Sequence, residues 1–315
     1  MMTSPDLAEL ARRARSYREA GLALVIASGV LALFLFIPLT PERQALSADI
    51  VATTTTPVFA VAPLEAQAAI VYDLATGEML YEKNADAQLP LASLTKLLTV
   101  YAALAELSPT MPITISREAA RAEYPNAFKA GQTFSLADIA RLTLTGSLND
   151  GAAAIAEATA ARKGLSTSEM LASAAVALGL SETYAVNGNG LDVNTSVSGG
   201  YGSARDVARL AGALVRVAPD IALATTLGTT EATSEKGTVY RVKNTNPMTE
   251  TVPRLLLSKT GYTDLAGGNL ALVFDAGIEH PIAIVVLGSS KDSRFTDGTA
   301  LLGAALAHFA GVPAL

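Results

Sequence analysis

The period of the apolar positions changes several times along the chain, and each change predicts an element. From Gly21 to Leu39 the chain reads GLALVIASGVLALFLFIPL, 19 residues without a charge and apolar on every face. At about 1.5 Å per residue, a helix of that length nearly spans the ~30 Å hydrocarbon core of a bilayer. Arg12, Arg13, Arg15 and Arg18 precede it and only Arg43 follows closely. This asymmetry places residues 1–20 in the cytoplasm and the rest of the chain outside. A cleaved signal peptide is the competing reading. Its apolar core is usually shorter, about 7–15 residues, and ends at a small-residue site. Here the nearest such site, Ala45-Leu46-Ser47, is set back behind Pro41, Glu42 and Arg43. An uncleaved transmembrane anchor over 21–39 is therefore expected. Residues 40–66 carry three prolines and four consecutive threonines without helical period, which predicts an exposed linker. The folded domain, 67–315, is expected to start near Gln67.

Two β-rich runs, Gln67–Asp73 and Glu78–Lys83, flank a Gly-containing connection and predict a hairpin. Ser93–Leu107 has a helical apolar period and stops before Pro109. Helix-start patterns recur at Ser135–Asp138, at Ser166–Glu169 and at Ser203–Asp206, the last helix ending at Pro219. After about Leu227 the period becomes two. Thr238–Lys243, Arg254–Thr260, Asn269–Asp275 and Ile282–Gly288 read as strands, and Phe295–Phe309 returns to a helix. Short connections force antiparallel pairing, since parallel neighbours need long crossovers. The expected class is α+β, with first and last segments sharing one sheet covered by helices.

Composition narrows the chemistry. A chain of 315 residues suits one catalytic-size domain, or a domain with a small appendage. The net charge of −6 argues against a nucleic-acid partner, which would call for a basic face. There is no cysteine, so disulfides, Cys-ligated zinc and thiol catalysis are excluded, and two histidines do not make a His-rich metal site. Among hydrolytic chemistries this leaves a serine nucleophile that needs a base. His280 lies in a hairpin turn and His308 near the end of the last helix, positions that suit packing or solvent. A lysine can replace histidine if burial or a neighbouring cation depresses its pKa.

Ser93-Leu94-Thr95-Lys96 supplies that pair. Spacing i, i+3 on a helix puts both side chains on one face, with Ser93 at the positive end of the helix dipole. Ser147-Leu148-Asn149 falls on a loop between two predicted helices, where Asn149 or Asp150 would equally serve as an ordinary N-cap. Lys259-Thr260-Gly261 closes an apolar strand and offers a cation, a hydroxyl and a bare backbone together, suited to a substrate carboxylate and an extended main chain. Each motif alone is weak. Together, in this order, S-x-x-K, S-x-N and K-T-G are the signature of serine β-lactamases and penicillin-binding proteins.

The surrounding residues AAIVYDLATGEMLYEKNADAQLPLASLTKLLT and SKTGYTDLAGGNLALV resemble the D-alanyl-D-alanine carboxypeptidases, the low-molecular-mass penicillin-binding proteins. So do Asn187–Leu191 (NGNGL) and Tyr201–Asp206 (YGSARD), and the resemblance runs from about Gln67 to Phe309. It implies a β-lactamase/transpeptidase-like fold, an antiparallel sheet covered by helices on both faces with a helical subdomain. It implies an extracytoplasmic enzyme that removes terminal D-Ala from peptidoglycan stem peptides and takes β-lactams as covalent inhibitors, without metal or organic cofactor.

By that resemblance Ser93 is the nucleophile and Lys96 its base. Ser147 relays a proton to the leaving amine, and Asn149 holds Lys96 and the substrate amide. Lys259 and Thr260, with Gly261 and Tyr262, bind substrate, and the backbone N–H groups of Ser93 and Tyr262 form the oxyanion hole. Two departures stand out: Leu148 occupies a position where the family has a small residue, which predicts a narrowed or shifted cleft, and the chain ends without a second β-rich domain. Within the family, a D,D-endopeptidase that cuts cross-links shares the motifs. A sensor that acylates without turnover is the reading from another class.

Overall fold

The structure, a computed structural model, describes Phe59 and residues 61–311. The expected segment 1–20, the expected anchor 21–39 and most of the expected linker 40–66 lie outside the described residues. Among the described residues no helix is long and apolar enough to cross a membrane. The expected boundary at Gln67 falls inside the fold. Ala66 is fully buried, and the amides of Glu65 and Ala66 donate to the Asp297 carboxylate at 3.1 and 2.8 Å. A buried carboxylate needs donors, and these amides supply them.

In chain order, β1 (Ala68–Asp73) and β2 (Met79–Lys83) form the expected hairpin, followed by the short β3 (Leu89–Pro90). A 3₁₀ turn, Ala92–Leu94, leads into α1 (Thr95–Glu106). Then come β4 (Pro112–Thr114), β5 (Thr133–Ser135), α2 (Leu136–Gly146), α3 (Asn149–Lys163) and α4 (Thr167–Ala177). After β6 (Tyr184–Ala185) and β7 (Gly200–Gly202) the chain forms α5 (Ala204–Val217), α6 (Pro219–Ala224), β8 (Thr229–Thr233) and β9 (Val239–Lys243). It closes with β10 (Leu255–Thr263), β11 (Gly267–Asp275), β12 (Pro281–Ser289) and α7 (Ser293–Ala310). The three predicted helix starts are N-caps: Ser135, Ser166 and Ser203 accept from the amides of Asp138, Glu169 and Asp206.

The main sheet has the order β10-β11-β12-β1-β2 and is antiparallel throughout, so the first hairpin joins the last three strands. Alternate residues serve two cores. Ile70, Leu257, Val273, Val285 and Leu287 pack with Val207, Leu210 and Leu214 of α5. Val71, Leu272, Phe274, Ile284 and Val286 pack with Leu301, Leu302 and Ala305 of α7. Burial on both faces explains why β1, β11 and β12 read as near-continuous apolar runs. Each fully buried Leu, Ile or Phe contributes roughly 1.5–3 kcal/mol. The helices α1–α4 form the second part of the first core.

Three sequence expectations change. Val239–Lys243 does not join the main sheet; it pairs with Thr229–Thr233 as a separate ribbon. That partner, TTEAT, buries only Thr230 and Ala232, too weak an apolar signal to predict. The strand expected to end at Thr260 continues to Thr263, because Gly261, Tyr262 and Thr263 pair with Asn269, Gly268 and Gly267. The K-T-G residues therefore lie within an edge strand rather than closing one. The nucleophile helix begins two residues late, at Thr95, after the 3₁₀ turn.

Candidate active site

Ala92 sits at φ +48°, in the left-handed region that non-glycine residues avoid. Packing enforces this conformation, since Ala92 and Leu94 are wholly buried. The bend sets Ser93 at the mouth of α1 and turns Lys96 inward. Lys96 is fully buried, and its Nζ lies 2.7 Å from each of three oxygens: Ser93 Oγ, Asn149 Oδ1 and the Asn189 carbonyl. Burial pushes the Lys96 pKa well below its ordinary value, and the Lys259 charge pushes it further against the opposing pull of Asp150. A neutral amine has two N–H groups and one lone pair. The amide oxygens of Asn149 and Asn189 only accept, so the lone pair faces the Ser93 hydroxyl, the one partner able to donate. That is the geometry of a general base on a serine.

The second motif is tighter than an inter-helix loop. Ser147 alone, at φ +57°, turns the chain as the C-cap of α2, and Asn149 is already the first residue of α3. Asn149 does not cap the helix with its side chain. Its Oδ1 accepts from Lys96 while its Nδ2 donates to the Glu123 carbonyl at 3.0 Å. Asn149 thus holds Lys96 with its oxygen, and its Nδ2 carries a second N–H beyond the one given to Glu123. Asp150, also buried, accepts from the amides of Ala127 and Phe128 at 2.7 and 2.6 Å. The Leu148 side chain is buried beside Gly146, whose Cβ, if added, would touch both Leu148 and Val242.

Lys259 of β10 is buried opposite, donating to Ser147 Oγ at 2.8 Å and to the Thr260 carbonyl at 2.7 Å. Burial, then the nearby Arg294 guanidinium, lowers its pKa from 10.5 to about 7. An ammonium there keeps a third N–H for a ligand. Thr260 shares a 2.6 Å hydroxyl contact with Thr245. Gly261 is a close approach: a Cβ there would lie 3.0 Å from the Leu91 carbonyl and 3.2 Å from the Ser93 nitrogen. Only a bare backbone lets β10 pass so near the nucleophile's own N–H. Tyr262 is half-exposed, with the Lys291 Nζ 5.5 Å above its ring.

Sequence reasoning missed three contributors. Arg294, on α7 and 8 % exposed, donates to the Gly261 carbonyl at 2.6 Å and brings a second cation beside Lys259. Thr245 holds the Thr260 hydroxyl. The Asn189 carbonyl completes the Lys96 shell, and its signal was the NGNGL string. There Asn187 accepts from the Gly190 amide at 2.7 Å and donates to the Leu191 carbonyl at 3.0 Å, curling the loop. Gly190, at φ +78°, admits no side chain, because a Cβ would lie 1.9 Å from the Ala92 carbonyl. Asp192 ties the same loop to the end of β10, accepting from the Thr263 hydroxyl at 3.0 Å.

The histidines play no part in this constellation. His280 contacts the buried Asp73 carboxylate at 2.6 Å, and its ring packs on Phe309. It lies at the end of β11 opposite Gly261, roughly 25 Å away at 3.3 Å per residue. The His308 ring packs between Phe59 and Phe309.

A serine whose hydroxyl meets a buried lysine with a depressed pKa, beside a second serine–lysine contact and an edge strand, has the arrangement of a serine hydrolase of the Ser–Lys type. A family model described as D-alanyl-D-alanine carboxypeptidase matches residues 52–291, and the chain belongs to that family. The chain is 31 % identical to a D-alanyl-D-alanine endopeptidase of Pseudomonas aeruginosa, the match covering 76 % of both chains. It is 30 % identical to the D-alanyl-D-alanine carboxypeptidase DacC of Escherichia coli, covering 76 % of this chain and 60 % of that longer protein. A crystal structure of a penicillin-binding protein of Listeria monocytogenes in its ampicillin-bound form superposes with a TM-score of 0.66 at 29 % identity, covering 78 % of this chain and 98 % of the other.

Proposed function

We propose that this serine D,D-peptidase removes the terminal D-Ala of peptidoglycan stem peptides through an acyl-enzyme on Ser93. The observation that carries the mechanism is the Lys96 shell, three oxygens at 2.7 Å around a buried amine. Ser93 Oγ attacks the carbonyl of the penultimate D-Ala while its proton passes to Lys96. The oxyanion forms against the backbone N–H groups of Ser93 and Tyr262, a stabilisation worth roughly 3–4 kcal/mol per donor in such sites. Ser147 relays that proton from Lys96 to the departing nitrogen, so Lys96 is neutral again when free D-Ala leaves. Water, deprotonated by Lys96, then attacks the ester and restores Ser93. Lys259 and Thr260 hold the substrate carboxylate, and the Arg294 charge adds to the attraction. The ampicillin-bound Listeria relative supports reading β-lactams as covalent inhibitors that acylate Ser93.

A second reading within the family, D,D-endopeptidase, is favoured by the Pseudomonas relative of that name. Incubation of the protein with a D-Ala-D-Ala pentapeptide and with a cross-linked dimer, followed by product identification, separates the two. Release of D-Ala supports the carboxypeptidase, and resolution of the dimer supports the endopeptidase. Stoichiometric penicillin acylation with neither product would reveal a sensor. We propose further that residues 21–39 anchor the domain outside the cytoplasm, on the strength of the uncharged stretch and the arginines before it. Alkaline phosphatase fused after Leu315 would be active on that reading, and activity confined to a cytoplasmic reporter would refute it.

A further inference from the structure

A groove of about 420 Å³ opens behind the second motif, between the loop at Tyr124–Ala127 and the chain from Val242 to Thr245. Gly146 and Leu148 line it, so its floor is the same turn that carries Ser147. Both walls are bonded to the active site. The Asn149 amide donates to the Pro125 carbonyl at 2.6 Å on one side, and the Thr245 hydroxyl meets Thr260 on the other. Tyr124 is 85 % exposed at the rim. Lys243 is the one charged residue lining the groove, is exposed, and makes no ion pair among the described residues.

From this geometry we infer that the groove is a leaving-side subsite for the second peptide of a cross-link. The inference rests on the proposed Ser93 mechanism, in which Ser147 protonates the departing nitrogen. Whatever is attached to that nitrogen leaves past the Ser147–Asn149 turn, and the groove begins there. A lone D-Ala is too small to reach it. A second stem peptide is long enough, and it carries carboxylates for Lys243 and a main chain that can lie across the Tyr124 ring. The groove thus distinguishes a cross-linked substrate from a free pentapeptide without altering the bond that is cut.

The test uses the full chain with the changes Lys243→Glu and Tyr124→Ala, assayed for kcat/KM on a D-Ala-D-Ala pentapeptide and on a cross-linked dimer. Labelling by penicillin monitors folding and the Ser93 centre. We expect Lys243→Glu to lower kcat/KM on the dimer by about tenfold or more, the scale of one charged hydrogen bond. Most of the loss falls in KM, the pentapeptide value and the acylation rate stay within about twofold, and Lys243→Arg restores the dimer reaction. Equal losses on both substrates, or no loss on the dimer, overturn the subsite. A wild-type protein that trims pentapeptide but leaves the dimer intact also overturns it while the carboxypeptidase reading stands. A protein that turns over neither substrate removes the parent mechanism as well.

Discussion

Lys259 is buried as an amine that the fold makes expensive to charge, and replacing it with methionine makes that cost measurable. Its pKa falls from 10.5 to about 7 on folding, chiefly through burial and then through Arg294. At 1.36 kcal/mol per pH step, holding the proton at pH 6 costs the folded state about 5 kcal/mol. The unfolded chain keeps the Lys259 proton up to its ordinary 10.5, whereas the folded protein releases it near 7. Between those values the unfolded state binds more protons, so stability climbs as pH rises across that window. From pH 6 to 9.5 the wild type should gain about 3 kcal/mol relative to Lys259→Met. Lys96 adds to the same trend, because removing Lys259 also relieves the repulsion that depresses it. The assay is urea unfolding of both proteins at a series of pH values. Subtracting the variant cancels the titration of the remaining lysines and tyrosines. At low pH Lys259→Met should be the more stable protein despite losing the contacts to Ser147 and the Thr260 carbonyl. Parallel stability profiles, or a wild type that loses ground to the variant as pH rises, would refute the reasoning.

Three further outcomes follow from the site. Ser93→Ala should abolish covalent attachment of labelled penicillin, read by mass spectrometry of the peptide containing residue 93; label that persists sinks the nucleophile. Lys96→Arg keeps a charge that cannot be released, so acylation should fall by orders of magnitude in a folded protein, whereas His280→Ala should leave the acylation rate unchanged. Gly190→Ala places a Cβ 1.9 Å from the Ala92 carbonyl at φ +78°, so the loop must move and carry the Asn189 carbonyl off Lys96. The left-handed backbone alone costs roughly 1–2 kcal/mol, and we expect a lower Tm with slowed penicillin labelling.

Local interactions were legible without a structure. The β1–β2 hairpin, the capped starts of α2, α4 and α5 and the last three strands follow from period, turn residues and serine caps, all of which act over a few neighbours. The S-x-x-K spacing likewise placed Ser93 and Lys96 together, because one helical turn separates them. What lies between distant segments was not legible. Nothing local joins β9 to β8 rather than to the main sheet, since TTEAT buries two side chains at most alternate positions and gains its stability from α2 behind it.

The order of three polar motifs, the absence of cysteine and the paucity of histidine were enough to determine a serine–lysine chemistry in an α+β fold. Only the tertiary structure decided that Lys96 is buried against Ser93 with its pKa depressed. An amine becomes neutral through loss of water, and that depends on α1, α3 and the loop at Asn189 closing around it from positions 53 and 93 residues away in the chain. The same holds for Arg294, Thr245 and the groove beside Lys243. Each has an ordinary sequence context and acquires its role because folding brings it against β10 or the Ser147 turn, where removal of solvent makes one charge felt by another.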